Sequence, residues 1–259
     1  MLVLGSFFFE YSAEKLKNGL LVLLIATGFY FVSIFLSSLL FKGFDKNVKP
    51  IMRFSAVFSN VAFIGLPMMK ALYGQDGVFL GSFNIVAFNI FVWTFGYAMY
   101  GDVREGGGIG KLLKKALLNP AVIAVYVGII VFVFRIPVPK AIKSAVGYIG
   151  DMTMPLSMLI IGALISTAKI KDLVNDIKVY YVAAVRLILM PLIAYGILYL
   201  IGVPGIIRSV VVTALAMPVA ATTTIFADLF DKDAVFASKA VMLSTILSVI
   251  TAPLIVGIM

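Results

Sequence analysis

Eight stretches of mostly apolar residues, each about 20 long and joined by short polar links, constrain this chain before any motif does. They fall at roughly 20–41, 54–73, 78–100, 119–136, 146–168, 179–201, 206–229 and 237–257. A helix rises about 1.5 Å per residue, so each block is long enough to cross about 30 Å of hydrocarbon, the fourth only just. The chain is 62% hydrophobic and 13% charged, against about 45–50% and about 25% in a soluble domain. An all-α polytopic membrane protein is the expected fold.

Several function classes fall away on composition. There is no Cys and no His, so disulfides, thiol chemistry and the usual zinc, haem and iron–sulfur ligands are absent, and no cofactor is expected. No Gly-x-Ser-x-Gly, Walker-type loop or pair of intramembrane aspartates occurs, which argues against an enzyme and against an ATP-driven pump. The net charge of +9 fits Lys and Arg in cytoplasmic links better than nucleic-acid binding. Met1 to Phe9 has no basic start and no small-residue cleavage site, so it does not read as a cleavable signal.

The basic residues set the orientation. One side of the membrane carries Lys42, Lys46, Lys49, Arg53, Arg104, Lys111, Lys114, Lys115, Lys169, Lys171, Lys178, Lys232 and Lys239, thirteen in all. The other carries Lys15, Lys17, Lys70, Arg135, Lys140, Lys143 and Arg208, seven in all. The richer side is expected to face the cytoplasm. That puts the 101–118 link inside and both termini outside a plasma or inner cell membrane.

The chain also reads as two related parts. "LYGQDGVF" (Leu72 to Phe79) lines up with "LFDKDAVF" (Leu229 to Phe236), and each follows a proline-interrupted block and precedes another. The first such block runs inside to outside and the second runs back, as in transporters built from inverted repeats. Residues 1–100 are then a first repeat with three spans and 119–259 a second with five. An inverted repeat needs equal halves, so the first is expected to lack two spans at its N-terminus.

Both proline-interrupted blocks carry polar residues. "SNVAFIGLPMMKALYG" (Ser59 to Gly74) places Asn60 ahead of Gly65-Leu66-Pro67, and "AMPVAATTTIFA" (Ala216 to Ala227) places Thr222, Thr223 and Thr224 after Pro218. Proline removes a backbone donor, and the carbonyls it frees need partners in lipid. If the helices break just before these prolines, two half-helix N-termini turn their positive ends to the midplane beside amide and hydroxyl donors. That arrangement suits an anion, above all a carboxylate. Kinking alone accounts for any single membrane proline, but the pair with its polar neighbours points to a binding site. Other polar residues have blander readings. Asn84 and Asn89 suit interhelical glue, Arg186 and Lys239 can snorkel to the cytoplasmic interface, and Asp228, Asp231 and Asp233 form a solvated turn. Trp93, Tyr97 and Tyr100 resemble an interfacial aromatic belt.

Those two segments, with "MTMPLSMLIIGALIS" (Met152 to Ser166), "RLILMPL" (Arg186 to Leu192) and the run from Ala216 to Leu254, resemble the auxin efflux carrier family. That family includes plant PIN carriers and bacterial permeases for small dicarboxylates, and the similarity runs from about Glu14 onward. The resemblance implies a bile-acid symporter-like, NhaA-like crossover fold of ten helices in two inverted repeats, eight of them present here. It implies a secondary transporter of a small organic anion, a mono- or dicarboxylate, embedded in the bilayer and able to form a homodimer.

By position, Asn60 matches an asparagine that contacts the carboxylate substrate in plant members, Gly65 and Pro67 form one break, and Met217-Pro218 the other. Thr222 and Thr223 depart from the plant pattern and enter as further donors on chemistry alone. Glu14 matches an acidic residue tied to proton-linked gating. The first two family helices have no counterpart, and residues 1–19 look like the tail of the second. The alternative expectation is therefore a truncated, non-transporting membrane interaction subunit.

Overall fold

In the computed structural model, which describes residues 1–9, 11–101, 107–166 and 176–259, the apolar blocks form helices, and among the described residues there is no strand longer than an isolated bridge. Arg104, Lys169 and Lys171 lie outside the described residues. In chain order the helices are α1 (Leu2–Gly5), α2 (Ala13–Leu40), α3 (Lys49–Val57) and α4 (Leu66–Phe91), then α5 (Tyr97–Tyr100), α6 (Gly108–Leu117), α7 (Pro120–Val133), α8 (Lys140–Asp151) and α9 (Thr153–Ser166). They end with α10 (Ile177–Ala184), α11 (Met190–Leu200), α12 (Gly205–Ala216), α13 (Thr222–Leu229) and α14 (Ala234–Gly257). Their starts follow local chemistry. Ser12 and Asp233 cap α2 and α14 by accepting from the Lys15 and Phe236 amides, and Asn119 caps α7 ahead of Pro120.

Among the described residues, four helical stretches are long and apolar enough to cross a membrane by length and composition: Ala13–Leu40, Val61–Tyr100, Ile177–Leu200 and Ala234–Gly257. A fifth span arises if α6 and α7, bent by 61° at their junction, act together. This matters for the fourth expected block, since α7 alone has 14 residues and reaches only about 21 Å. The remaining expected blocks differ in ways their residues explain. The second and third stay separate helical stretches that meet across a kink at Gly74, whose φ of 63° and ψ of −150° suit glycine and strain any other residue. The fifth starts at Lys140 rather than about 146 and is divided at Met152 into α8 and α9. The second and seventh are each interrupted by extended residues.

Among the described residues, three π-turns interrupt the helices, at Val61–Gly65, Val92–Gly96 and Val185–Leu189. Two of them have a visible cause. Pro67 and Pro191 bring no N–H for the carbonyls of Phe63 and Leu187 four residues earlier, so the ladder widens just before each proline. The Leu66 amide donates to Val61, and the Met190 amide to Val185, five residues back in each case.

α2 shows how the helices face the bilayer. Gly19, Val22, Ala26, Tyr30, Ser33 and Ser37 are buried, whereas Leu20, Leu24, Phe31, Phe35 and Leu39 are exposed. The small and hydroxyl residues Gly19, Ala26, Ser33 and Ser37 pack inward beside Val22, Phe29 and Tyr30, while a stripe of large apolar residues faces outward as it would toward lipid. The core lies in two apolar clusters. One gathers Phe54, Phe58, Phe91, Tyr100 and Phe226, and the other Phe7, Phe79, Phe83, Val210 and Met217. Helices such as α2, α4, α11 and α14 contribute to both, and the chain also passes from one to the other at two non-helical places: between Phe58 and Val61, and between Met217 and Val219.

Candidate functional site

At those two places the chain leaves helical geometry. α3 ends at Val57, Phe58 is extended (φ −103°, ψ 117°), and helix resumes at Val61. α12 ends at Ala216, Met217 is extended (φ −70°, ψ 149°), and helix resumes at Thr222. The two extended segments cross as a minimal antiparallel bridge between Ser59 and Val219. The Asn60 amide donates to the Pro218 carbonyl at 2.8 Å, and the Ala220 amide donates to the Phe58 carbonyl at 3.0 Å. The Val219 amide donates to Ser244 Oγ on α14 at 3.1 Å. Backbone groups that a membrane helix would satisfy internally are here satisfied across the crossing, as burial requires.

The second break falls at Met217-Pro218, where the sequence places it. Pro218 has no N–H to offer the Ala214 carbonyl, so α12 cannot continue. The first break does not sit just before Pro67. It lies at Phe58 to Asn60, and Gly65 is helical at φ −66°, ψ −49°. Pro67 is buried at the start of α4 and produces the π-turn instead. Gly65 still belongs to the crossing. A Cβ built there would lie 3.2 Å from Met217 Cγ, so the lack of a side chain lets the two segments approach.

Asn60 caps the resuming helix, its Oδ1 accepting from the Phe63 amide at 3.2 Å. This leaves the side-chain NH2 as its donor. Thr223 is fully buried, and neither its hydroxyl nor that of Thr222 has a hydrogen-bond partner among the described residues. Both half-helices therefore begin at the crossing, each with side-chain donors at its positive end. A cavity of about 10 Å³, bordered by Tyr30, Ser59, Asn84 and Leu215, adjoins the crossing and has room for about one water. Glu14 is not part of this arrangement. It lies in the first turn of α2, 16 residues or about 24 Å along the helix from Tyr30, beside a separate cavity of about 230 Å³.

Arg186 does not snorkel. It is fully buried, and its guanidinium reaches the crossing: Nε donates to the Met217 carbonyl at 3.1 Å, Nη1 to Ala56 and Val57 at 2.9 and 3.1 Å, and Nη2 to Leu215 at 2.9 Å. Distance to the interface is a poor guide here because the carbonyls freed by both breaks offer a better set of partners than the headgroup region. The signal was present as an arginine eight residues inside a span, five before a proline.

Other polar readings also shift. Asn89 donates to Ile85 on its own helix, and Asn84 Oδ1 has no partner among the described residues, so neither acts as interhelical glue. Tyr97 and Tyr100 are buried against Phe54, Phe226 and Phe230 rather than forming an interfacial belt, while Trp93 lies under the Lys115 ammonium. Lys239 is half-buried, and Asp228, Asp231 and Asp233 are exposed as expected, though Asp228 lies in the last turn of α13 and Asp233 caps α14 rather than all three lying in a turn.

This crossing belongs to a chain with recognisable relatives. It is 26% identical over 213 residues to an uncharacterized transporter of Methanothermobacter thermautotrophicus, covering 82% of this chain and 69% of that one. It is 24% identical over 206 residues to an uncharacterized transporter of Methanocaldococcus jannaschii, covering 77% of this chain and 65% of the relative. The family described as membrane transport protein matches residues 1–256, nearly the whole chain. With its apolar helices crossed at two breaks, this multi-pass membrane protein belongs to the membrane transport protein family, that of the auxin efflux carriers.

Proposed function

We propose that this protein is a secondary transporter of a small organic anion, a mono- or dicarboxylate, working by alternating access around the crossed breaks. The observation that carries the reading is the convergence of two half-helix N-termini at one crossing, with Asn60 and the unpartnered hydroxyls of Thr222 and Thr223 beside them. Each helix N-terminus carries about half a positive charge on amides that seek an acceptor, and a carboxylate supplies two acceptor oxygens. The ion pairs among the described residues, Lys15 with Asp76 and Lys70 with Asp151, lie away from the crossing, so neither of their carboxylates neutralises it.

In this reading Asn60 donates from its NH2 group, Thr222 and Thr223 donate from the other half-helix, and Gly65, Met217, Pro67 and Pro218 shape the breaks. Residues 1–100 and 119–259 act as the two inverted repeats, with 101–118 as a cytoplasmic link and Glu14 outside the substrate contacts. A cavity of about 10 Å³ admits no carboxylate, so substrate entry requires the helices around the crossing to part.

Uptake into liposomes tests it. Wild-type protein is expected to accumulate at least one of labelled malate, malonate or indole acetate, and Asn60→Ala to lose about tenfold of that uptake with its fold intact, as loss of a charge-assisted hydrogen bond predicts. Equal uptake by the two proteins sinks the assignment of Asn60.

A further inference from the structure

Among the described residues Arg186 is the only charged side chain that is fully buried, and no carboxylate pairs with it. Its partners are all backbone carbonyls, and their identity is the clue. Ala56 and Val57 are the last two residues of α3, while Leu215 and Met217 flank the last residue of α12. These are the negative ends of the two half-helices that stop at the crossing. Their usual donors are gone: the Asn60 amide turns to Pro218, the Val61 amide to Ser59 and the Val219 amide to Ser244. One guanidinium thus serves as the C-terminal cap of two helices, donating four hydrogen bonds.

Unwound carbonyls and half-helix C-terminal ends at a midplane crossing are the ligands with which inverted-repeat transporters hold a coupling Na+. Here those oxygens are committed to a covalently attached cation. A mobile cation would have to displace the guanidinium and would be repelled by it at close range in a poorly screened site. We propose that Arg186 is the resident cation of the crossing: it holds the place a coupling ion would take, so that the site works without Na+ or another small cation bound there. Its charge cannot leave with the substrate, so the crossing stays electropositive in every state and the transported anion completes its neutralisation. That last consequence rests on the anion reading above; the occupancy of the carbonyls does not.

The test uses purified wild-type protein and two variants, Arg186→Ala and Arg186→Lys, in sodium, potassium and choline chloride at equal ionic strength. Thermal unfolding and liposome uptake are both read. Wild type is expected to unfold within about 1 °C in the three salts and to transport at rates within about twofold, because nothing binds there to stabilise the folded state by mass action. Arg186→Ala is expected to unfold several degrees lower in choline, and methylguanidinium or Na+ to restore a large part of that loss by filling the vacated carbonyls. Arg186→Lys keeps the charge but not the planar fork, so it should fall between and gain nothing from methylguanidinium.

A purely structural staple would lower stability equally in every cation, and that result overturns the proposal. So does a wild-type unfolding temperature or uptake rate that rises with Na+ or K+, which can be read even if Arg186→Ala does not fold. If wild type moves none of the carboxylates but the unfolding pattern holds, the anion reading fails and the role of Arg186 stands.

Discussion

Thr223 carries a hydroxyl that is fully buried and has no hydrogen-bond partner among the described residues. An unmade bond of this kind costs about 1–3 kcal/mol, so replacing the hydroxyl with a methyl of the same shape should not weaken the fold. Thr223→Val is therefore expected to unfold at the wild-type temperature or slightly above it, while, if the proposed carboxylate transport holds, liposome uptake falls about tenfold. A variant that loses stability but not uptake would make Thr223 a packing residue. Asn60 and the threonines were legible in the sequence because a polar side chain in an apolar block is conspicuous. Arg186 was legible as a residue but not in its role, since distance along a helix says nothing about where freed carbonyls gather.

Among the helices, the prolines act in ways that the sequence does not separate, and Pro253 lies inside α14 with the helix continuing through it. Pro67 and Pro191 widen the helix into π-turns and the chain continues, whereas Pro218 accompanies a true break. The first break, at Phe58 to Asn60, contains no proline and is held by its partner segment through the Asn60 and Ala220 amides. Gly74 marks another division, and no neighbour lies within 4 Å of a Cβ placed there. Gly74→Ala therefore meets no clash, and its cost is that of the backbone alone. It is expected to lose about 1–3 kcal/mol, seen as a drop of a few degrees in thermal unfolding. An unchanged unfolding temperature would mean that the turn relaxes to another conformation.

Across the full fold, the proposed orientation puts the 101–118 link in the cytoplasm and the link before α8 outside. The chain has no cysteine, so single cysteines report cleanly. Lys114 and Lys140 are both exposed and lie on opposite sides in this reading. In intact cells a membrane-impermeant maleimide is expected to label Lys140→Cys at once and Lys114→Cys only after permeabilisation. The reverse pattern would invert the topology without touching the crossing.

Hydropathy and proline chemistry act locally, so the sequence alone is enough to make this chain an all-α membrane protein and to mark the two blocks where polar residues stand beside helix-breaking ones. The position of the first break, the carbonyls the breaks release and the service of Arg186 to both half-helices emerge only when the chain is folded. Those outcomes depend on hydrogen bonds between segments about 160 residues apart, and no local pattern records which distant group will satisfy a buried carbonyl.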